Sequence, residues 1–267
     1  MSRQPAPMRA RKRFGQNFLQ DHGVIERIVA SIHPQKDDRL VEIGPGQGAL
    51  TEVLLEAHGA LEAVELDRDL IPGLRTRFFN YPDFHIIEGD ALALDFSALR
   101  GDGPPLRVVG NLPYNISTPL IFHLLGAGNA VRDMHFMLQK EVVARLAAEP
   151  GTGQWGRLSI MTRYYCQVEA LFDVPPEAFI PQPKVDSSIV RLIPWQTRPH
   201  VAHDEALLSD LVRRAFSQRR KTLRNNLRDI MSAEALTSLD IAPSRRPETL
   251  SVGEFVTIAN HLSESAP

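Results

Sequence analysis

The residues best suited to chemistry are Asn111-Leu112-Pro113-Tyr114, which follow the apolar run Leu106, Val108, Val109. A buried-strand pattern running straight into this tetrapeptide puts an amide and an aromatic ring at a strand's carboxyl end, where open parallel sheets hold their ligands. Pro113 has no N–H and fixes its own φ, so the strand must stop there and the turn is stiff. The Asn111 side-chain carbonyl and the neighbouring backbone carbonyl can then point outward beside the Tyr114 ring. Two acceptors next to one ring suit a flat base bearing an exocyclic amine. Alone, the tetrapeptide reads equally as a Pro-Tyr turn capping a strand.

Three further segments end in the same way. Leu40-Val41-Glu42-Ile43 leads into Gly44-Pro45-Gly46-Gln47-Gly48 and then a helix with Leu50, Val53, Leu54 and Ala57 at core spacing. A strand, a glycine turn and a helix N-terminus make a nucleotide crevice, because a missing Cβ lets a ligand approach the backbone. The strand Leu61–Val64 ends in Glu65, about 20 residues after the glycines, where an acid accepts from ribose hydroxyls. Phe84–Ile87 runs into Glu88-Gly89-Asp90-Ala91, so Asp90 occupies another strand tip and can accept from an adenine amine. Each acid alone could be a loop or cap residue; three consecutive tips together favour a ligand. Glu62, Asp67 and Asp95 are read as surface charges.

The elements that position these residues alternate strand and helix, which argues a doubly wound α/β domain. Before the first strand, Val24, Ile25, Ile28, Val29 and Ile32 share one helix face, preceded by Phe14-Gly15-Gln16-Asn17-Phe18-Leu19. After Tyr114, Ser117-Thr118-Pro119 opens a helix with a cap and an early proline. Met134–Leu138 reads as the fifth strand, Lys140–Ala148 and Gly156–Tyr165 as helices, and Val168–Val174 and Ser188–Ile193 as a closing pair of strands. Phe179 to Lys184 is too rich in proline for regular structure. Pro194–His203 reads as a linker, and the remainder is helical by period. The expected domains are 1–195, with a basic N-terminal arm, and 196–267, small and all-helical.

Composition bounds the rest. The chain has 267 residues, 43% of them hydrophobic, and a formal charge of -2, so overall charge does not point to nucleic acid. Charge distribution does. Arg213, Arg214, Arg219, Arg220, Lys221, Arg224 and Arg228 fall in one stretch without an acid, and Arg9, Arg11, Lys12 and Arg13 make the arm basic. A cationic run is often a plain solvated face, but this one suits phosphate. The single cysteine, Cys166, excludes an intrachain disulfide and a cysteine metal site and fits a reducing compartment. The nine histidines have no metal-ligand spacing, so no metal is expected. No apolar run nears the ~18 residues of a membrane span.

These motifs together resemble the ribosomal RNA adenine dimethyltransferases, S-adenosylmethionine-dependent enzymes that act on bacterial small-subunit ribosomal RNA. The likeness runs nearly end to end. It is carried by Phe14–Leu19, Glu42–Gly48, Glu65-Leu66-Asp67, Gly89-Asp90-Ala91, Asn111–Tyr114, Pro181-Gln182-Pro183-Lys184-Val185-Asp186-Ser187 and Lys221–Asn226. The last two favour the housekeeping branch over the large-subunit resistance methylases and the mitochondrial transcription-factor relatives. Ser188 stands where the family commonly has alanine.

The resemblance implies a Rossmann-like methyltransferase sheet and N6,N6-dimethylation of two adjacent adenosines in a hairpin near the 3′ end of that RNA. The substrate would be an immature small subunit, met by a cytoplasmic, monomeric enzyme. Asn17 and Leu19, the latter through its backbone, would contact the methionine end of S-adenosylmethionine. Gly44 and Gly46 would lie against the cofactor, Glu65 would bind its ribose, Asp90 and Ala91 its adenine, and Asn111 would face both cofactor and target. Asn111 and the Leu112 carbonyl would accept the target's N–H bonds, Tyr114 would stack on the base, and Phe179 would close its other face or merely plug the proline loop. Arg11, Lys12, Arg13, Lys184, Arg219, Arg220, Lys221 and Arg224 would meet RNA. Two other readings stand beside this one: an RNA-binding assembly factor for the small subunit, and a nicotinamide oxidoreductase, since Gly44, Gly46 and Ala49 also fit the dinucleotide fingerprint.

Overall fold

A computed structural model of the chain describes residues 17–218 and 220–265. The basic arm with Arg11, Lys12 and Arg13, the segment Phe14–Gln16, and Arg219 lie outside the described residues. The elements run β1 (Phe18–Leu19), α1 (His22–Ile32), β2 (Arg39–Ile43), α2 (Ala49–His58), β3 (Leu61–Glu65), α3 (Ile71–Arg77), β4 (Phe84–Glu88), α4 (Phe96–Arg100) and β5 (Leu106–Asn111). Then come α5 (Ser117–Gly126), β6 (Val131–Gln139), α6 (Lys140–Leu146), α7 (Arg157–Tyr165), β7 (Cys166–Val174), β8 (Phe179–Ile180) and β9 (Ser187–Pro194). Four helices end the chain: α8 (Glu205–Ala215), α9 (Leu223–Leu227), α10 (Ala233–Ser238) and α11 (Val252–Glu264).

Seven strands form one sheet in the order β4-β3-β2-β5-β6-β9-β7. The five from β4 to β6 are parallel, and β9 returns antiparallel against β6. Strand order reverses between β2 and β5, and a crevice opens outside the carboxyl ends at such a switch point. Both faces of the sheet are covered. Leu40, Val109 and Met137 join α1, α2 and α3 in one apolar cluster, while the intervening Val41, Val108, Met134 and Phe136 are buried as well. Strands buried on both sides read as near-continuous apolar runs, as these do.

Local chemistry sets the element ends. Asp21 caps α1 by accepting from the Val24 amide at 3.0 Å. Gly44, at the first residue past β2, has φ +67°, a conformation an L side chain adopts only with strain. Asp95, read as a surface charge, caps α4 through the Ser97 and Ala98 amides. Ser117 is the first residue of α5 rather than its cap, and its hydroxyl donates to the Tyr114 carbonyl. The proline-rich segment does contain regular structure: β8 pairs antiparallel with β1, placing Phe18 opposite Ile180 and Leu19 opposite Phe179. Two residues on each side are too few for any period to announce the ladder.

A close approach of two strands carries the first testable consequence. A Cβ at Gly110 would stand 2.5 Å from the Ile43 carbonyl oxygen. Only glycine lets β5 lie that close to β2. Gly110→Ala should destabilise the fold by about 1–3 kcal/mol. It should also loosen cofactor binding, because Ile43 leads into the Gly44 turn and Gly110 into Asn111. Urea unfolding and a titration with S-adenosylhomocysteine check the two effects separately.

The chain divides into two compact units, one holding the described residues up to Lys140 together with Ala170–Leu192, the other Glu141–Glu169 and Ile193 onward. The sequence boundary at 195/196 therefore differs from the structural one, which assigns α6 and α7 to the helical unit. Long-range bonds within that unit explain the difference. The Trp155 indole N–H donates to the Leu250 carbonyl at 2.9 Å, the Tyr165 hydroxyl to Glu205 at 2.7 Å, and the Gly151 amide to the Glu248 carbonyl at 2.7 Å. Cys166 is fully buried, and burial pushes its thiol up to about 12, which leaves it an unreactive packing group. Among the described residues, no helix is long and apolar enough to cross a membrane.

Candidate active site

A cavity opens at the carboxyl edge of the first unit's sheet, across the ends of β4, β3, β2 and β5. Asn17, Leu19, Gly44, Gly46, Glu65, Asp90, Ala91, Asn111, Leu112, Pro113 and Tyr114 all line it. Residues 94 positions apart in the chain thus meet at one edge.

Glu65 ends β3 nearly buried, its Oε1 accepting from the Asp67 amide at 2.7 Å and its Oε2 from the Gly46 amide at 3.3 Å. Burial raises its carboxyl above the ordinary range and the negative charge of Asp67 adds to this, while the two amide bonds pull it back. Such a carboxylate is held rigidly and still has lone pairs for hydroxyl donors. Asp90 is exposed at the tip of β4, and its Oδ1 accepts from the Leu92 amide at 2.9 Å. Asp67, expected on the surface, is only 6% exposed and lines the cavity. The Glu65-to-Asp67 amide bond folds the strand end back on itself, which alternation along the sequence does not reveal.

The amide of Asn111 is oriented by its own hydrogen bond. Its Nδ2 donates to the Asn17 carbonyl at 3.0 Å, so the donor end is committed and Oδ1 is the end left to accept. The Leu112 amide donates to the Met137 carbonyl at 3.3 Å, and the Ile116 amide to the Pro113 carbonyl at 3.1 Å, which fixes the turn. The Tyr114 hydroxyl lies 3.3 Å from Ser187 Oγ on β9, tethering the ring.

Of the two roles expected for Phe179, its position fits the plug and not the face of a base. It is 1% exposed, packed with Leu19, Ile25, Ile28 and Val174, and it does not line the cavity. Its β8 neighbour Ile180 is 63% exposed instead. Pairing of β8 with β1 turns alternate side chains to opposite faces, so one of the two had to go inward. Residues to which the sequence reading gave no site role also line the cavity: Glu42, Ile28, Leu66 and His135. A signal for two of them existed, since a Glu and a His inside otherwise apolar strand runs need a partner or a purpose.

In the helical unit, Arg220, Lys221 and Arg224 are exposed, as is Lys184 in the first unit. The cationic stretch is partly compensated from outside its own window, because Asp210 pairs with both Arg213 and Arg214 one turn earlier. Arg228 stands 3.5 Å from Asp229. Among the described residues, Arg220, Lys221 and Arg224 lie exposed between these pairs and are available to a polyanion.

The fold and this edge define a class: a Rossmann-like sheet whose successive strand tips hold a glycine turn and two acids, Glu65 and Asp90, is that of an S-adenosylmethionine-dependent methyltransferase. Residues 8–264 match the family described as ribosomal RNA adenine dimethylase, and the chain belongs to that family. It is 68% identical over 271 residues to the Ribosomal RNA small subunit methyltransferase A of Chromohalobacter salexigens, covering 100% of this chain and 96% of that one. The Hahella chejuensis protein of the same name is 61% identical, covering 95% and 93%. Among solved structures, a dimethyladenosine transferase from Plasmodium falciparum aligns with a TM-score of 0.79 at 26% identity, over 92% of this chain and 97% of that one. The 23S rRNA methyltransferase ErmE aligns with a TM-score of 0.74 at 24% identity, over 92% and 100%, and speaks for the fold.

Proposed function

We propose that the chain transfers methyl groups from S-adenosylmethionine to the N6 atoms of two adjacent adenosines in a hairpin near the 3′ end of small-subunit ribosomal RNA, acting on an immature cytoplasmic subunit. The observation that carries this reading is the orientation of Asn111, whose Nδ2 is held by the Asn17 carbonyl so that Oδ1 is offered to a donor. An exocyclic adenine amine supplies that donor. The site fits the cofactor on its own geometry: Glu65 is preset by two backbone amides for ribose hydroxyls, Asp90 and Ala91 suit the adenine, and nothing stands within 4 Å of where a Gly44 Cβ would be. Asn17 and the Leu19 backbone would hold the amino-acid tail. Bound there, S-adenosylmethionine supplies an electrophilic methyl group.

An adenine amine is a poor nucleophile because its lone pair is delocalised into the ring. Asn111 Oδ1 and the Leu112 carbonyl, accepting its two N–H bonds, draw the nitrogen towards tetrahedral geometry and aim the lone pair at the methyl. Alignment supplies much of the acceleration, and a tuned general base is not needed. Tyr114 offers a face on which a flipped-out base can stack. After the first transfer one N–H remains, so the second proceeds with one acceptor unused.

The experiment is methyl transfer from labelled S-adenosylmethionine to immature small subunits, followed by nuclease digestion and nucleoside analysis. Dimethyladenosine in the small-subunit RNA is the expected product. Label only in large-subunit RNA would move the chain to the resistance-methylase branch. Subunit binding without label would favour the assembly-factor reading, which the exposed Arg220, Lys221 and Arg224 also suit.

A further inference from the structure

A second cavity, of about 210 Å³, lies within the helical unit and has no part in the chemistry above. Its walls are mostly rings: Trp155 ahead of α7, Tyr164 on α7, and Trp195, Pro199 and His200 after β9. The chain has two tryptophans, and both are here. The polar handles of the three large rings are spent elsewhere. The Trp155 indole N–H donates to the Leu250 carbonyl at 2.9 Å, and the Trp195 indole N–H to the Arg163 carbonyl at 3.0 Å. The Tyr164 hydroxyl accepts from the Ala202 amide and the Arg198 guanidinium, each at 3.2 Å. These rings therefore offer a ligand carbon surface and π faces. The His200 imidazole packs over Gly253 in the first turn of α11, where a Cβ would stand 2.7 Å from its Cε1. Trp155 is fully buried and Trp195 only partly, so Trp195 is the indole open to a ligand.

Arg163 and Glu149 give the cavity its charge. Arg163 Nη2 donates to the Ala147 carbonyl at 2.9 Å and to Glu149 at 2.5 Å. Its Nε–H is buried and has no acceptor among the described residues. A buried donor left without an acceptor is destabilising, and such a group in a folded protein asks for a ligand or a water. Glu149 is 66% exposed and keeps lone pairs for a further donor. The cavity thus sets a planar donor and an acceptor beside aromatic faces.

That combination selects among ligands. An aliphatic chain would leave the Arg163 donor unpaired, and a free phosphate would gain nothing from the rings. A nucleobase uses both, because it has a π face on each side and acceptors and donors along its edge. The volume is below the ~300–1,000 Å³ of sites for drug-sized ligands, so it suits one flat ring system with sugar and phosphate left outside. The same unit exposes Arg220, Lys221 and Arg224, cations suited to the phosphates of a strand. We propose that this cavity is a second base-binding site, taking one unpaired nucleobase of the RNA substrate, stacked on Trp195 and accepting from Arg163 Nε. Stacking tolerates any base, so the site reads the presence of an unstacked nucleotide rather than its identity. The proposal rests on the reading that the chain acts on RNA, and the base it takes is not the target, which Asn111 meets in the other unit.

Because both tryptophans line this cavity, their fluorescence reports on it. The full chain, saturated with S-adenosylhomocysteine, is titrated with a short single-stranded oligoribonucleotide carrying 5-iodouridine, and binding is followed separately by filter retention. Stacking should quench the tryptophan emission in step with binding, and irradiation should cross-link the iodouridine to Trp195 or His200. Trp195→Ala should weaken binding roughly tenfold. Trp195→Phe, which keeps a ring to stack on, should restore most of the affinity, and thermal unfolding of both variants checks the fold. RNA bound with neither quenching nor a cross-link in this cavity would overturn the proposal without recourse to a variant. Undiminished affinity in Trp195→Ala would overturn it too. Equal losses in both variants would make the indole N–H bond to Arg163 the feature that matters, reducing Trp195 to a structural prop and overturning the stacking role. Quenching by a tryptophan-rich peptide but not by RNA would give the cavity to a protein partner instead. No RNA binding at all by the unaltered chain would overturn the RNA reading, and this proposal with it.

Discussion

Asn111→Ala should lower the methyl-transfer rate by about 10²–10³-fold or more while leaving cofactor binding within a few fold of the unaltered protein. Removing one preorganised polar contact that tightens in the transition state costs about that much, and the loss of alignment adds to it. Asn111 makes one other interaction, its 3.0 Å bond to the Asn17 carbonyl, worth about 1 kcal/mol of local order. Glu65, Asp90 and the Gly44 turn come from other strands and keep their geometry. Single-turnover transfer to immature subunits, set beside S-adenosylhomocysteine affinity, separates the effects. A fall in affinity as large as the fall in rate would mean that Asn111 serves mainly to hold the cofactor, and the amine-polarising role would be lost. RNA binding should be unchanged, which also distinguishes the enzyme from an assembly factor.

Arg107→Met should cost about 3–5 kcal/mol of stability, because it breaks a buried ion cluster on one side only. The Arg107 guanidinium donates to Asp38 at 2.6 Å, to Asp133 at 3.0 Å and, through Nη2, to the Ile32 carbonyl at the end of α1 at 2.7 Å. Asp133 and the Ile32 carbonyl are held in β6 and at the end of α1 and lose this partner, whereas Asp38, just before β2, keeps the Gln35 amide and the Arg132 guanidinium at 2.7 Å. Burial by itself would raise both carboxyls. For Asp38 the Gln35 amide and Arg107 outweigh it, and for Asp133 nearby His135 and Arg107 do, so both stand below the ordinary carboxylate range. Depressed carboxyls stabilise the fold above their unfolded pKa near 3.8, and that contribution disappears as pH falls through the lower folded values. The penalty of Arg107→Met should therefore be greatest at neutral pH and shrink below about pH 4, where protonation removes the unpaired charges. Urea unfolding at pH 7 and at about pH 3 measures it. An equal loss at both pH values would show that packing, not charge, is what Arg107 contributes. The cluster is at the amino-terminal edge of β5, so affinity for S-adenosylhomocysteine per folded molecule should not change.

Much of the catalytic edge is legible in the chain itself. Glycine at Gly44, acids at Glu65 and Asp90, and the amide and ring of Asn111 and Tyr114 each stand at the carboxyl end of an apolar run. In a parallel sheet all those ends lie on one edge, so sequence position alone brings them together. The alternation of strand and helix likewise determined the α/β class. Tertiary structure decided what depends on partners distant in the chain. Phe179 went into the core and Ile180 to the surface because β8 pairs with β1, some 160 residues earlier in register. Asp67 was buried by the return of its amide to Glu65. α6 and α7 joined the helical unit through bonds such as Trp155 to Leu250, which no local period records. Glu42 and His135 became the floor of the cavity because β2, β5 and β6 are neighbours, and adjacency of strands is a property of the folded sheet. Local composition specifies where a strand ends and what stands there; which side chains share an interior is decided only when the strands meet.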